Sequence, residues 1–335
     1  MVTIRMPAEW TEHERTWMAW PHADYTLGDS AQEASEAYRA WANVAGAIVE
    51  FEPVTMLVHP EQIEVAKEHL DPRVEIVSAT LDDGWMRDIG PTFVKNDSGE
   101  TIAVDWVFNG WGGQSDWSTW GNDDKVAEFV AERAGVTRVR SRLVNEGGGL
   151  HVNGAGAVLL TETVQLGEGR NPDWSRAEVE TEIHRLLGTE QAIWIRRGLT
   201  RDYEAFGTQG HVDIVACFAD ENTILFHDQQ DPAHPDYSVS HEVRRTLEEQ
   251  TSFRLIGVPA PTVLRDEHGV VDYSYINHYI CNKAVILCSF DDPNDQVAKQ
   301  IMQIVYPDRE IVLVDARALF ARGGGIHCIT QQQPK

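Results

Sequence analysis

The stretch NEGGGLHVNGAGAVLLT, residues 145–161, places an acidic residue and three glycines in front of alternating and apolar residues. A glycine turn that leads into such a run is typical of a strand leaving a turn. Four other stretches also begin with a turn that carries glycine or polar residues and continue into an alternating or apolar run. They are RDIGPTFV at 87–94, QGHVDIVACF at 209–218, NHYICNKAVILCSF at 277–290 and GGGIHCIT at 323–330. The sequence therefore contains five similar turn-and-strand segments.

A helix and then a strand precede each of these turns. Apolar residues recur with helical period in five segments, and β-rich runs follow them. The predicted helices are 61–70, 123–134, 176–187, 240–250 and 295–306, and the predicted strands are 74–77, 137–144, 192–195, 253–258 and 310–314. The units repeat about every 50–65 residues, a period typical of stacked or radially arranged supersecondary units.

The last of the five turns needs a strand from elsewhere in the chain. The segment MPAEWTEHERTWMAWP at 6–21, with a long predicted helix at 31–50, is placed to supply that strand. Pairing of the two regions would close a ring and remove exposed sheet edges. No linker or low-complexity tract divides the sequence, so we expect a single catalytic domain over residues 1–335.

The composition excludes several classes of protein. Of 335 residues, 42% are hydrophobic, and 53 acidic against 28 basic residues give a formal charge of −25. A charge this negative repels nucleic acid and anionic membranes, and no apolar run approaches the ~18 residues of a membrane helix. We expect a cytoplasmic protein without nucleic-acid or membrane partners. A homo-oligomer is compatible with the sequence.

Five chemically distinctive residues occupy the turns, one in each repeat. They are Asp88, Glu146, His211, Asn277 and Cys328. In a radial arrangement the equivalent turns converge on one axis, so these side chains should become neighbours. Asp213 joins them if the chain there is extended, because positions i and i+2 of a strand face the same way. The sequence therefore predicts a shared site of three carboxylates, an imidazole and a thiol.

Cys328 is the predicted nucleophile of this site, because it follows three glycines and precedes a polar segment. A free thiol is mostly protonated at neutral pH and needs a nearby base or cation, for which His211 is the candidate. Carboxylates oppose ionisation of the thiol unless the substrate itself carries positive charge. A guanidinium is planar, permanently charged and suited to two carboxylates. We therefore expect a small cationic guanidine as substrate.

The other cysteines have an ordinary structural explanation. Cys217, Cys281 and Cys288 are embedded in apolar strands and are expected to be buried thiols. No CxxC pair, HExxH motif or phosphate-binding loop occurs, so the sequence predicts no metal site. Trp85 lies three residues before Asp88 and is a candidate to form a wall of the pocket and stack on a planar cation.

The same residues closely resemble the agmatine deiminases, which belong to the guanidine-modifying, or pentein, superfamily. The shared motifs are WMRDIGP (85–91), NEGGGLHVNGAG (145–156), QGHVD (209–213), SYIN (274–277), FDDPNDQ (290–296) and GGGIHCITQQQP (323–334). The resemblance extends over nearly the whole chain. It implies an α/β fold, a five-bladed propeller of ββαβ-type repeats with pseudo-fivefold symmetry.

The resemblance also implies a role for three of the turn residues. Cys328 matches the nucleophile of the family, His211 the general acid and base, and Glu146 the carboxylate that pairs with this histidine. The implied enzyme is a hydrolase of C–N bonds in linear amidines. It would convert agmatine to N-carbamoylputrescine and ammonia through a covalent thiouronium intermediate, in the route to putrescine and polyamines, without a cofactor.

The remaining site residues are implied in the same way. Asp88 and Asp213 match the two acids that bind the guanidinium, and Trp85 matches the pocket tryptophan. The chain departs from the usual pattern of the family at four positions, which bear on substrate choice rather than on the reaction. These positions are Asn153, Gln209, His278 and Gly325.

Two other functions fit parts of this pattern. The first is deimination of another guanidine, such as arginine, peptidyl-arginine or a longer guanidino-amine. A carboxylate on the substrate would call for a positioned cation, and Arg87 and Arg322 are the cations nearest the turns. The second is a non-catalytic propeller that binds a macromolecule. Such a protein would not require a thiol, an imidazole and three acids at equivalent positions of its repeats.

Overall fold

The computed structural model describes residues 4–266 and 269–335, and its strands form five sheets of three or four strands together with one small hairpin. Four of the sheets contain an antiparallel strand pair, then a helix, then a strand parallel to its neighbour. The fifth completes the same unit with strands from both ends of the sequence. The protein is therefore a five-bladed α/β propeller of ββαβ units, as predicted.

We number the blades from the one that contains both ends of the sequence. Blade 1 consists of strands Thr330–Pro334, His13–Ala19, Val54–Val58 and Glu75–Ser78 with helices Ala31–Ile48 and Ile63–His69. Blade 2 consists of strands Ile4–Arg5, Thr92–Asn96, Thr101–Val107 and Thr137–Val144 with helix Val126–Ala134. Both have four strands because each has one strand in addition to the ββαβ unit.

The other three blades have three strands each. Blade 3 has strands Leu150–Val152, Ala157–Thr161 and Gln191–Ile195 with helix Arg176–Leu187. Blade 4 has strands Ala216–Asp220, Thr223–Asp228 and Arg254–Pro259 with helix Asp236–Gln250. Blade 5 has strands Tyr279–Cys281, Ala284–Ser289 and Glu310–Asp315 with helix Asn294–Val305. The small hairpin pairs Arg265–Asp266 with Gly269–Val270.

Short helical turns connect these elements. The one-turn α-helices are Asp24–Leu27, Met86–Ile89, Gly110–Gly113, Glu162–Gln165 and Arg317–Phe320. The 3₁₀ turns are Pro60–Gln62, Asp123–Lys125, Gly147–Gly149, Arg201–Tyr203, Val212–Ile214 and His327–Ile329. Among the described residues, none of the helices combines the length and the apolar composition needed to cross a membrane.

The ring closes as the sequence predicts. Strand Thr330–Pro334 runs antiparallel to strand His13–Ala19, with Gln331 opposite Trp17. The indole Nε1 of Trp17 also donates to Gln333 Oε1 at 2.8 Å. The predicted helix at 61–70 does not have the role expected for it, however. The long helix Ala31–Ile48 connects the parallel strands of the repeat, and the 61–70 segment adds an extra helix and an edge strand.

Helix Arg176–Leu187 shows how local signals set the boundaries of the blades. Ser175 accepts a hydrogen bond from the Glu178 backbone N–H, and the Glu178 carboxylate accepts one from the Ser175 N–H in return. Gly188 ends the helix in the left-handed region at φ 65°. The capping box and the left-handed glycine are standard start and stop signals. Pro172 precedes this cap by three residues.

Apolar side chains fill the space between the sheets and their helices. Strand residues such as Met18 and Leu57 and helix residues such as Trp41 and Val44 are fully buried in the largest core cluster. Close packing of this kind fixes the strand ends with little freedom. The inner ends of the hairpins are thereby held in place, and the polar turn residues lie on those ends.

Candidate active site

The structure brings together the five charged or nucleophilic residues of the predicted site. Asp88, Glu146, His211, Asp213 and Cys328 are each at most 4% exposed. They lie on or beside the short helical turns that precede the hairpin strands of blades 2, 3 and 4 and of blade 1, which closes the ring. Their positions therefore depend on the rigid strand ends and not on long loops.

The reason given for placing His211 beside Asp213 was wrong. Residues Val212–Ile214 form a 3₁₀ turn rather than an extended strand, and His211 directly precedes it. Both side chains are nevertheless buried in the same site, and the charges of the two groups interact. The tight turn is stabilised by Asp202, whose carboxylate accepts hydrogen bonds from the N–H groups of Gly210 and His211.

Glu146 is bound by two cationic side chains. Its Oε2 lies 3.2 Å from His211 Nε2, and both of its oxygens lie 3.0 Å from Arg170 Nε. Arg170 is itself anchored to the Thr208 carbonyl at 2.6 Å. Burial raises the pKa of the Glu146 carboxyl, but Arg170 and His211 outweigh it and lower that pKa overall. Glu146 is therefore a fixed anion that orients the imidazole.

Asp88 is held by two donors on neighbouring turns. Its Oδ1 accepts from the Gly148 N–H at 3.0 Å and its Oδ2 from Trp111 Nε1 at 2.9 Å. A Cβ at position 148 would lie 2.5 Å from His211 Nδ1 and 3.0 Å from Asp88 Oδ1, so this close approach requires glycine. Burial raises the pKa of Asp88, and Glu146 adds to that rise against the opposing charge of His211.

Asp213 is supported by a buried chain of charged groups. Its Oδ2 lies 2.8 Å from His327 Nδ1, and His327 Nε2 lies 2.9 Å from Glu9 Oε1. Arg87 also pairs with Glu9, at 3.4 Å, and so lies away from Asp88. Burial opposes ionisation of Asp213, but His327 and His211 outweigh it and lower its pKa. Asp213 Oδ1, in contrast, is buried and makes no hydrogen bond within the described residues.

The Cys328 thiol lies at the centre of these groups. Its Sγ is 3.6 Å from Asp213 Oδ2, 3.3 Å from Asn277 Nδ2 and 3.4 Å from the Gly325 nitrogen. Burial, followed by the charges of Asp213 and Asp88, raises the thiol pKa well above its ordinary value. Without a bound cation the sulfur is therefore protonated at neutral pH.

The imidazole of His211 has the opposite charge preference. Burial disfavours the imidazolium, but Asp88, Glu146 and Asp213 outweigh burial and raise the pKa of His211 to about 9. Its Nδ1 lies 3.9 Å from Asp88 Oδ2 and, among the described residues, has no hydrogen-bond partner. The site thus favours a protonated imidazole and a protonated thiol beside the carboxylates of Glu146 and Asp213, which is suited to receive a cation.

Aromatic rings cover the site. Trp85 is 4% exposed and donates from Nε1 to Tyr25 Oη at 3.1 Å. Tyr25 stacks on Phe206 with centroids 5.6 Å apart, and Trp117 contacts the edges of both rings. We call Tyr25, Trp117 and Phe206 the aromatic cap. A Cβ at position 324 would meet both the Trp85 ring and Cys328, so Trp85 and Cys328 lie on either side of Gly324.

Phe206 is the most exposed member of the aromatic cap. It is 38% exposed and has a left-handed φ of 67°, which costs energy for a side chain of this size. A Cβ at position 323 would lie 2.3 Å from the Phe206 carbonyl oxygen, so Gly323 must remain small beneath it. Strain of this kind is frequent where a loop closes over a binding site.

Comparison with known proteins identifies the family of this chain. The sequence profile of the Porphyromonas-type peptidyl-arginine deiminases matches residues 5–334. The chain belongs to this family. A putative agmatine deiminase of Streptomyces coelicolor is 56% identical over 340 residues and covers 100% of both chains. The agmatine deiminase of Ectopseudomonas mendocina is 38% identical and covers 99% of this chain and 95% of its own.

A solved structure of the family has the same architecture. The agmatine deiminase of Enterococcus faecalis superimposes with a TM-score of 0.92 at 33% identity, and the match covers 99% of this chain and 96% of that one. The predicted relationship to agmatine deiminases and the predicted pentein fold are therefore confirmed.

The sequence reasoning missed the residues that support this family's site from elsewhere in the chain. Arg170, Trp111 and His327 each contact a predicted site residue, and Glu9 contacts His327. Only His327 had a visible signal, because it precedes Cys328 directly. Asn277 was predicted as a neighbour and does contact the thiol.

The remaining cysteines behave as predicted. Cys217, Cys281 and Cys288 are buried in strands of blades 4 and 5, and burial raises the pKa of each thiol.

Proposed function

We propose that the protein hydrolyses the guanidinium group of agmatine to N-carbamoylputrescine and ammonia, as a single-domain hydrolase of C–N bonds. One observation carries the proposal: the buried Cys328 thiol lies 3.6 Å from the Asp213 carboxylate, in a site that Asp88, Glu146 and His211 share. A guanidinium brings positive charge and the planar donors that carboxylates accept. The names of the homologous agmatine deiminases support this choice of reaction.

Binding of the guanidinium is assigned to Asp88 and Asp213. Asp213 Oδ1 is buried without a partner among the described residues, and a guanidinium N–H would satisfy it. The incoming charge offsets the two carboxylates that raise the pKa of Cys328, so the thiol loses its proton to solvent. Trp85 lies beside the sulfur and offers a flat surface to the planar cation.

The first chemical step forms a bond between sulfur and carbon. The Cys328 thiolate attacks the central guanidinium carbon, and the C–N bond to one terminal nitrogen breaks. His211, protonated in the free enzyme because its pKa is about 9, donates its proton to that nitrogen, and ammonia leaves. A positively charged thiouronium on Cys328 and a neutral imidazole remain.

The second step removes the intermediate with water. Neutral His211 takes a proton from a water molecule, whose oxygen adds to the thiouronium carbon. The C–S bond then breaks, the hydroxyl proton passes to the sulfur, and the ureido product leaves. Glu146, held by Arg170, stabilises the imidazolium that forms again. Thiol and imidazolium are restored, so the cycle closes without a cofactor.

Agmatine is favoured over arginine as substrate, because the arginine side chains near the site are already paired within the protein. Arg87 is paired with Glu9, Arg170 with Glu146, and Arg322 donates to backbone carbonyls and to Glu36. An α-carboxylate would need a positioned cation, and these three are already bonded within the protein. The acidic site and its aromatic cap instead suit an apolar chain that ends in an amine.

The direct test is turnover in isotopically labelled water. Purified protein incubated with agmatine should release ammonia, and in H₂¹⁸O the ureido product should carry one labelled oxygen. Acid quenching during turnover should trap an adduct on the peptide that contains Cys328. Absence of ammonia release from agmatine, arginine and other guanidines would instead support the non-catalytic propeller.

A further inference from the structure

A second cluster of potential ligands lies outside the active site. His22, His59 and Glu61 each place one nitrogen or oxygen so that all three atoms lie within 4.8 Å of one another. The two imidazole rings are stacked, with centroids 4.1 Å apart and planes 12° apart. The proposed reaction uses none of these residues, and the sequence predicted no metal site.

The positions of the histidines are set by rigid elements of blade 1. His22 follows strand His13–Ala19 and His59 follows strand Val54–Val58, which are adjacent and parallel. The carboxyl ends of adjacent parallel strands meet at one sheet edge, a common place for ligands in α/β folds. His22 is fixed further because its backbone N–H donates to Asp83 Oδ1 at 3.2 Å.

The ring nitrogens are available as ligands. His22 Nδ1 is buried and, within the described part of the chain, has no hydrogen-bond partner. His59 uses Nδ1 to accept the Glu61 backbone N–H at 3.4 Å, which leaves its Nε2 free of that bond. Neutral imidazole is the form that binds metals.

From this geometry we propose that His22, His59 and Glu61 form a binding site for a divalent transition metal of the zinc class. Two imidazoles and a carboxylate are ligands suited to Zn²⁺, whereas Ca²⁺ and Mg²⁺ prefer oxygen. Tetrahedral Zn–N bonds of about 2.0–2.1 Å place two nitrogens about 3.3 Å apart. Metal binding therefore requires the stacked rings to turn until their nitrogen lone pairs converge on the ion.

The site adjoins the aromatic cap. The cleft in front of the two histidines has a volume of about 430 Å³, and Tyr25 and Trp117 line it as well. Tyr25 follows His22 by three residues on the turn Asp24–Leu27. A metal bound here would therefore join two strand ends of blade 1 next to the cover of the active site, without contact with the reacting groups.

The test measures zinc binding with the catalytic thiol removed. In a Cys328→Ser background, the chelator-treated protein should bind one Zn²⁺ in isothermal titration calorimetry. His22→Gln and His59→Gln, each added to that background, should weaken binding by at least tenfold. His241→Gln is the matched control, because His241 is exposed on the helix Asp236–Gln250 of blade 4, and it should leave binding unchanged.

Two further measurements keep the test decisive. Glu61→Gln changes a side chain that is 78% exposed, so it should fold normally and still weaken Zn²⁺ binding. Co²⁺ added to the Cys328→Ser protein should give visible absorption bands of a low-symmetry nitrogen and oxygen site, and His22→Gln should remove them. Zinc binding that is absent, or unaffected by all three substitutions, would overturn the proposal.

Discussion

The Cys328 thiol donates to the Asp213 carboxylate, with Sγ 3.6 Å from Oδ2. An anion so close to a nucleophilic sulfur holds the proton on it and keeps the free site unreactive. The same carboxylate is proposed to bind the substrate cation, so the group that suppresses the thiolate also receives the charge that releases it.

Replacing the nucleophile should abolish turnover and preserve the fold. Cys328→Ser should retain less than about 1% of kcat, because an alcohol provides almost no alkoxide at neutral pH. Steady-state ammonia release and circular dichroism check the two parts. Cys217→Ser is the control, since Cys217 lies in strand Ala216–Asp220 and should keep nearly full kcat. Full loss of activity in a folded Cys217→Ser protein would count against the assignment.

Asp88→Asn should change turnover and thiol reactivity in opposite directions. The substitution removes half of the proposed guanidinium site, at a cost of about 2–5 kcal/mol in kcat/KM. It also removes one of the charges that raise the pKa of Cys328, so alkylation of the free enzyme by iodoacetamide should begin at lower pH. If alkylation were unchanged or slower than in the wild type, Asp88 would not act on the thiol.

Glu146→Gln should move the basic limb of the pH profile. The group needed in acid form is the His211 imidazolium, so activity is present below its pKa and is lost as pH rises through about 9. Loss of the Glu146 charge lowers that pKa, and the decline should begin at lower pH, with kcat reduced more than KM is raised. A profile of unchanged shape, with only KM raised, would indicate that Glu146 binds substrate directly.

Phe206→Ala should weaken substrate binding more than chemistry. The ring belongs to the aromatic cap and contacts Tyr25 and Trp117, but the reacting groups lie beneath Trp85. Loss of one aromatic contact is worth about 0.5–1.5 kcal/mol, so KM for agmatine should rise about three- to tenfold with kcat nearly constant. Because Phe206 is 38% exposed, the thermal unfolding midpoint of the Phe206→Ala protein should be close to that of the wild type. An unchanged KM would show that the aromatic cap does not touch the substrate.

Agmatine should be preferred to arginine by at least about 10² in kcat/KM, which equals roughly 2.7 kcal/mol. The reason is that Arg87 and Arg322 are bonded within the protein and the site is acidic. Competition between the two substrates at equal concentration measures the ratio directly. A ratio below ten would mean that one of these arginines leaves its partners to bind the carboxylate.

The repeated helices and strands were predictable because the sequence signals that specify them are local. Helical and strand periodicity, with glycine and proline at the boundaries, indicated the repeat and even the ring closure by residues 6–21. The assignment of the 61–70 helix within its blade was wrong because two helices, Ala31–Ile48 and Ile63–His69, connect strands of the same sheet. Only tertiary pairing distinguishes the repeated helix from the added one.

The site was predictable where a residue occupied an equivalent turn. Residues that support the site from outside the five turns left no such signal in the sequence. Arg170 meets Glu146 from 24 positions away and Glu9 meets His327 from 318 positions away. The pair His22 and His59 was equally invisible, because their contact depends on the register of two parallel strands. The extended conformation predicted for Val212–Ile214 was also wrong. Asp202 accepts hydrogen bonds from the preceding backbone and stabilises a tight turn there.

The closing strand Thr330–Pro334 begins two residues after Cys328. Its partner, His13–Ala19, lies more than 300 positions earlier, so this pairing is among the most non-local contacts of the fold, and such contacts are slow to form. The segment that holds Cys328 against Asp213 and Asn277 is thus fixed by the pairing of two distant strands. We therefore expect the cluster around Cys328 to assemble late in folding, so that a partly folded chain lacks it.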